Sequence, residues 1–168
     1  SPWNPDVRDP NSDGDNLFLS SILAVDADTG EYRWHYQTTP RDRWDYTATQ
    51  QIMLADLPLG EDGADRRVVM QAPKNGFFYV LDAADGELIS ATPFTNQNWT
   101  TGEFDENGRP VLIEEAVDLA LYAVIPGPTG AHNWHPMAFN PDTGLVYIPV
   151  NEIPFFYDKT RNVEDSKS

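Results

Sequence analysis

The chain has 168 residues, no cysteine and a formal net charge of -16. It is long enough for one domain with its own core, and 40% hydrophobic with 12% aromatic residues argues against disorder. The acidity argues against nucleic acid and anionic membrane surfaces as partners, and the lack of cysteine removes disulfides, zinc–thiolate centres and thiol nucleophiles.

In chain order, residues 1–16 read as a polar loop dominated by turn formers. Within it, Asp9-Pro10-Asn11-Ser12-Asp13-Gly14 fits the start of an EF-hand calcium loop. Ser20 stands where the twelfth-position Glu is needed, so an acidic surface loop is expected. Residues 17–26 read as a buried strand, Asp28-Thr29-Gly30 as a turn, and residues 31–38 as a second strand with Tyr32, Trp34 and Tyr36 on one face. A loop through Arg43-Trp44-Asp45-Tyr46 leads to a strand at 51–57 and a polar turn at 60–66. Strands at 67–72 and 77–82 flank Pro73-Lys74-Asn75-Gly76, where Asn-Gly marks a hairpin. A strand at 87–92, a loop-rich stretch at 95–110, a short helix within 114–122 and a last strand at 145–150 complete the reading. The domain is expected to span 1–157, with a charged, frayed tail at 158–168. The opening at Ser1-Pro2-Trp3, without initiator Met or signal peptide, is read as that of an internal stretch of a longer protein.

Short strands, Gly and Asp turns, and no long amphipathic helix predict an all-β fold. Three segments repeat: Ala24 to Gly30 followed by Trp34, Val80 to Gly86, and Ala138 to Gly144. Their glycines lie 56 and 58 residues apart, a spacing that suits the blades of a β-propeller. By that count the chain holds about three blades.

Four places could carry chemistry. The calcium-like loop at 9–14 is the first. Asp45, between Trp44 and Tyr46, is either paired, on a metal, a base, or an ordinary turn residue. His132-Asn133-Trp134-His135-Pro136 has two histidines three apart, but Gly130 and Pro136 oppose the helix a zinc pair would need. Asn133 could offer its amide to a ligand. Lys74 sits at a tight hairpin beside aromatics, where it either faces solvent or reaches into a central channel.

These pieces, in this order, resemble the pyrroloquinoline-quinone-dependent alcohol dehydrogenases, the quinoprotein class of methanol and ethanol dehydrogenases. The resemblance covers the chain to about Pro154. It is carried by residues 1–4 (SPWN), 14–30, 34–50 (through WDYTATQ), 70–94 (through PKNG), 98–102 (NWTTG) and 132–150 (from HNWHP). It leans towards the ethanol dehydrogenase branch, where Lys rather than Arg occupies the PKNG turn. It implies an eight-bladed propeller with tryptophan-docking repeats, met in full by Ala24 to Trp34 and in degenerate form at 80–90 and 138–148. It implies bound pyrroloquinoline quinone above a calcium ion, with Asp45 as the catalytic base and a calcium neighbour. Lys74 then bonds the quinone's reactive oxygens and Asn133 its edge. Other metal ligands, and any haem c domain, would lie outside this stretch.

On that resemblance the activity is oxidation of primary alcohols to aldehydes, with electrons passing to a cytochrome c-type acceptor in the periplasm. Asp45 would take the hydroxyl proton and Lys74 would stabilise charge developing on the cofactor. A homo-oligomer is compatible with it, and membrane association is not legible in these residues. Thr47, where lanthanide-dependent relatives carry Asp, points to calcium, provided that 45–47 is extended and both residues face the metal. The alternatives are a non-catalytic propeller used for binding or assembly, and a quinoprotein acting on a sugar or polyol. The 168 residues alone are expected to be inactive, because partial propellers leave open strand edges.

Overall fold

The computed structural model describes residues 14–117 and 122–157. The calcium-like stretch at 9–13, the opening SPWN segment, part of the expected helix at 118–121 and the tail from Asp158 lie outside the described residues. Strands β1 (Ser21–Val25) and β2 (Tyr32–Gln37) form an antiparallel pair. β3 (Met53–Leu57), β4 (Arg66–Gln71), β5 (Phe77–Asp82) and β6 (Leu88–Pro93) then form a four-stranded antiparallel meander in that order, a complete blade. β7 (Thr100–Phe104) pairs with β8 (Pro110–Leu112), and one helical turn, α1 (Glu114–Val117), follows. Of β9 (Tyr122–Val124), β10 (Ala138–Asn140), β11 (Leu145–Tyr147) and β12 (Phe155–Tyr157), the middle two pair with each other and the outer two with each other. The described residues are thus overwhelmingly strand and loop, as the all-β expectation holds.

The three repeats are one turn built three times. The glycine N–H donates to the carbonyl of the residue four before it: Gly30 to Asp26 at 2.9 Å, Gly86 to Asp82 at 3.0 Å, and Gly144 to Asn140 at 2.9 Å. The Asp or Asn side chain accepts the N–H two residues on, from Asp28, Ala84 and Asp142. All three glycines are left-handed, which favours glycine. The Trp of the complete repeat locks one unit to the next. Trp34 donates its indole N–H to the Ala83 carbonyl at 3.1 Å and lies flat on Gly86, where a Cβ would come within 2.5 Å of the ring.

The inner strands of the four-stranded sheet, β4 and β5, are buried on both faces. Val69, Phe77, Tyr79 and Leu81 join an aromatic core with Trp34, Tyr36, Trp44, Tyr46 and Trp99. Val68, Met70 and Val80 point the other way and meet Phe139 of β10 and Val146 of β11. Stacked sheets explain why β4 and β5 read as near-continuous apolar runs rather than as alternating ones.

Three local expectations are corrected. Residues 17–20 are a turn, not the start of a strand: Asn16 and Ser20 take left-handed backbone, the Leu19 N–H bonds the Asn16 carbonyl, and Leu17, Phe18 and Leu19 are exposed. Tyr32 does not share the buried face of Trp34 and Tyr36, because the register shifts between Ala24 and Val25, so the alternation breaks. The loop-rich stretch at 95–110 contains the β7–β8 hairpin, closed by Asp105, whose carboxylate accepts the N–H groups of Asn107 and Arg109 at 2.9 Å each.

Candidate active site

Three loops meet beside the aromatic core. The first runs from Arg41 to Gln50. Buried and half-buried residues alternate along it: Asp42, Trp44 and Tyr46 are inside, while Arg43, Asp45 and Thr47 are half-buried. Trp44 donates its indole N–H to the Ala116 carbonyl at 3.2 Å, and its own carbonyl accepts the Tyr157 hydroxyl at 3.0 Å. Tyr46 donates its hydroxyl to the Pro126 carbonyl. Both rings pack against Trp99, at centroid distances of 5.6 and 5.8 Å. Burial drives the Tyr46 phenol well above its ordinary range, so it stays a neutral donor.

Beneath them Asp42 is fully buried. Its Oδ1 accepts the N–H of Trp44 at 2.9 Å and of Tyr46 at 3.2 Å, and its Oδ2 accepts the Ser20 hydroxyl at 2.8 Å. Burial pushes its carboxyl above the ordinary carboxylate range, against the pull of these three bonds, and the neighbouring charge of Asp45 adds to the rise.

Asp45 is left-handed at φ 65°, a conformation that costs about 1 kcal/mol outside glycine, though Asp tolerates it better than most residues. Its side chain is 33% exposed. Because Asp45 is not extended, the premise that residues 45 and 47 share a face as strand neighbours fails.

The second loop is the β4–β5 hairpin. Asn75 ties it inward, donating to the Thr38 carbonyl, the Thr39 hydroxyl and the Tyr79 hydroxyl, and accepting the Phe77 N–H. Lys74 then points at the first loop. Its Nζ donates to the Asp45 carbonyl at 2.9 Å and lies 3.4 Å from Asp45 Oδ2. Only 10% of that side chain is exposed, so the solvated-turn alternative for Lys74 is out.

The third loop spans residues 127–136. Its Ala131 N–H donates to the Lys74 carbonyl at 2.9 Å. Gly130 is left-handed, and a Cβ there would fall 2.4 Å from Lys74 Cγ. His132 is fully buried, with Nδ1 2.5 Å from the Ala72 carbonyl and Nε2 2.7 Å from that of His135. It serves the hairpin, not a metal pair with His135. Asn133 Nδ2 donates to the Thr129 carbonyl at 3.0 Å, and Asn133 Oδ1 accepts Gln50 Nε2 at 3.4 Å. Beside it Trp134 is 83% exposed.

Asp45 and Lys74 therefore touch, and Asn133 joins the Asp45 loop through Gln50. Asp42 escaped the sequence reading, which had Gln50 only as the end of WDYTATQ and Gly130 only as an obstacle to a helix. The only signal was the Asp three residues before Asp45, at a spacing suited to accepting backbone N–H groups further along a turn.

Comparison with known proteins shows the family. The PQQ glucose/ethanol/alcohol dehydrogenase β-propeller domain matches residues 4–106. The quinohemoprotein alcohol dehydrogenase ADH-IIG of Pseudomonas putida is 56% identical over 163 residues, which is 93% of this chain and 22% of that protein. The 1-butanol dehydrogenase (cytochrome c) of Thauera butanivorans is 50% identical, over 96% of this chain and 23% of its own length. A solved europium-containing methanol dehydrogenase superposes with a TM-score of 0.78 at 38% identity, over 89% of this chain and 26% of that one. The chain spans under a quarter of the length of the curated relatives named here. The docking turns, the blade and the match over residues 4–106 together establish that the chain belongs to the PQQ-type glucose/ethanol/alcohol dehydrogenase β-propeller family.

Proposed function

We propose that this chain supplies the proton-accepting and cofactor-facing side of a quinoprotein that oxidises primary alcohols to aldehydes, in the periplasm, with electrons leaving to a cytochrome c-type acceptor. The observation that carries the reading is the Asp45–Lys74 pair: a half-open carboxylate and a mostly buried ammonium 3.4 Å apart, each held by its own loop. Asp45 is the general base. A carboxylate within hydrogen-bond reach of an alcohol can take its proton as the carbon is oxidised. Lys74 carries fixed positive charge to where negative charge develops. An ammonium has three donors, and the contacts of Lys74 to Asp45 leave it room to serve an acceptor on a ligand.

The residues fit pyrroloquinoline quinone. Lys74 and Asn133 offer donors to its oxygens. Gln50 Oε1 and Gln71 Oε1 are buried acceptors without a protein partner, the kind of atom that a bound polar group or water satisfies. The exposed Trp134 ring is an apolar plane that a flat cofactor could cover. When bound, the quinone is the two-electron acceptor and the calcium ion its Lewis acid.

Asp45 would give that calcium one oxygen ligand, in keeping with a hard divalent ion. Among the described residues no cluster of three or more His, Asp or Glu forms a metal cage, so further ligands would come from elsewhere in the full-length protein, as would any haem c. The europium-containing relative makes a lanthanide the rival metal, and reconstituting the metal-free protein with each ion decides between them. Activity returning only with a lanthanide would overturn calcium.

The test of the reading is Asp45→Asn in the full-length protein with quinone bound. The amide keeps the shape and cannot take the proton, so turnover of a primary alcohol should fall by at least about 10²-fold. Near-normal turnover would remove Asp45 from the base role.

A further inference from the structure

The Asp45 carboxylate reaches the half-open side of the site through an unusual piece of backbone. Residues 44 and 46 bury their rings on either side, and residue 45 between them takes the left-handed conformation at φ 65°. Left to itself a non-glycine residue favours other conformations, though Asp resists this one less than most. One atom spans the irregularity. Asp42 Oδ1 accepts the N–H before Asp45, from Trp44, and the N–H after it, from Tyr46. Oδ2 is fixed in turn by the Ser20 hydroxyl at 2.8 Å. Three donors converge on the carboxylate, the pattern suited to an ionised, acceptor-only group.

We propose that Asp42 is a positioning residue, whose Oδ1 grips the backbone on both sides of Asp45 and so fixes where the Asp45 carboxylate stands. The proposal rests on the reading of Asp45 as general base. Asp42 itself is fully buried, which leaves it no surface to offer a ligand. Its grip acts through the backbone of residues 44–46, beside the direct charge coupling between Asp42 and Asp45. Misplacing a reacting group by about 1 Å can cost about 10²-fold in rate, which is the scale expected here.

The experiment uses the full-length protein with quinone and metal bound, and compares Asp42→Ala, Asp42→Ser and Asp42→Asn. Ala removes the grip. Ser keeps a short acceptor within reach of the Trp44 N–H but does not span to Tyr46. Asn keeps an oxygen that can accept both. The expected result is that kcat falls by about 10²-fold in Asp42→Ala, by less in Asp42→Ser, and returns close to the parent value in Asp42→Asn, with KM for the alcohol little changed throughout. Crystal structures of the variants supply a readout independent of turnover: Asp45 leaves the left-handed region in Ala and keeps it in Asn. Made on an Asp45→Ala background, Asp42→Ala adds no further loss of kcat, because the two changes act through one group.

Parent-like kcat with Asp45 unmoved in the Ala variant overturns the proposal. So does an undiminished second loss on the Asp45→Ala background, which is general damage. If Asp42→Ala yields no folded protein, Asp42→Ser decides, and parent-like kcat there with Asp45 in place overturns it equally. Failure of the base reading looks different: Asp45→Asn turns over normally while Asp42→Ala still displaces residue 45.

Discussion

Two aspartates organise loops in this molecule by the same hydrogen-bond grammar and with opposite electrostatic results. Asp26, at the outer docking turn, accepts the N–H groups of Asp28 and Thr29 and the Thr29 hydroxyl, and pairs with Arg33 at 2.7 Å. Arg33 first, then those bonds, hold its carboxyl down at about 2. Asp42, under the Asp45 loop, also accepts two N–H groups and a hydroxyl, but burial outweighs them and pushes its carboxyl up. Between pH about 2 and the unfolded value near 4, the unfolded chain holds the Asp26 proton more tightly than the folded one. Asp26 therefore stabilises above that window, and the contribution is lost as pH falls through it. For Asp42 the sign reverses: its folded pKa lies above the unfolded value, so as pH rises from the unfolded value through the folded one, stability is lost. A loop tied for stability alone is served by the first arrangement. The second costs stability at neutral pH, and it is the one beneath the proposed base.

The comparison breaks most sharply at Trp44. Its ring is fully buried and anchors the inner loop on both sides. Trp44→Ala should cost about 3–5 kcal/mol, read as a shift of the denaturant midpoint of the full-length protein. A cost no larger than that of a surface substitution would mean the inner loop is not locked into the core.

Next in size is Lys74→Ala. If the inner loops exist for chemistry, this change should lower kcat by about 10²-fold, the usual effect of losing one preorganised charge or donor. KM for the alcohol should move little. An effect confined to KM would make Lys74 a substrate-positioning group.

On the outer side, Gly86 and Gly30 share a left-handed backbone, but only Gly86 lies against the Trp34 ring, while a Cβ at Gly30 would meet nothing within 4 Å. Gly30→Ala should cost about 1 kcal/mol, the price of the conformation, and Gly86→Ala about 2 kcal/mol once overpacking is added. Equal costs would show that the ring shifts freely and that docking is loose.

The smallest effect belongs to Asp26→Asn. Stability should drop slightly at neutral pH, less at high salt, and by a vanishing amount as pH falls below about 2, where the parent carboxylate takes up its own proton. A pH-independent loss would mean that the turn, rather than the charge, matters.

Much of this was legible beforehand, for reasons specific to each residue. The docking turns repeat Asp or Asn and Gly at fixed offsets, and each side chain accepts the N–H two residues on, so local sequence is enough to mark the turn. Lys74 and Asp45 are 29 positions apart, and their meeting was visible only through resemblance to a family. Asp42 stayed hidden because its partners are backbone N–H groups, which every residue but proline carries. Leu17-Phe18-Leu19 misled for the opposite reason: an apolar run reads as a buried strand, while the left-handed Asn16 and Ser20 that turn it outward leave no mark in hydrophobicity. In the Thr95–Pro110 stretch, the hairpin closes through Asp105 rather than through alternating apolar residues.

The bare Cα of Gly130 against the Lys74 stem carries a consequence of its own. A free lysine side chain has about 2 kcal/mol of rotamer entropy to lose when its charge is held in one place. Here the methylenes rest on a surface with no side chain to displace them, and the ammonium is tethered at Asp45, so that freedom is surrendered once, as the chain folds. The glycine at 130 is required twice, by its left-handed backbone and by the close approach of Lys74. A methyl group at 130 would meet Lys74 Cγ at 2.4 Å, Lys74 Cβ at 2.7 Å and the His132 carbonyl at 2.8 Å, so no change of lysine rotamer relieves it and one of the two loops would have to move, taking the cation with it.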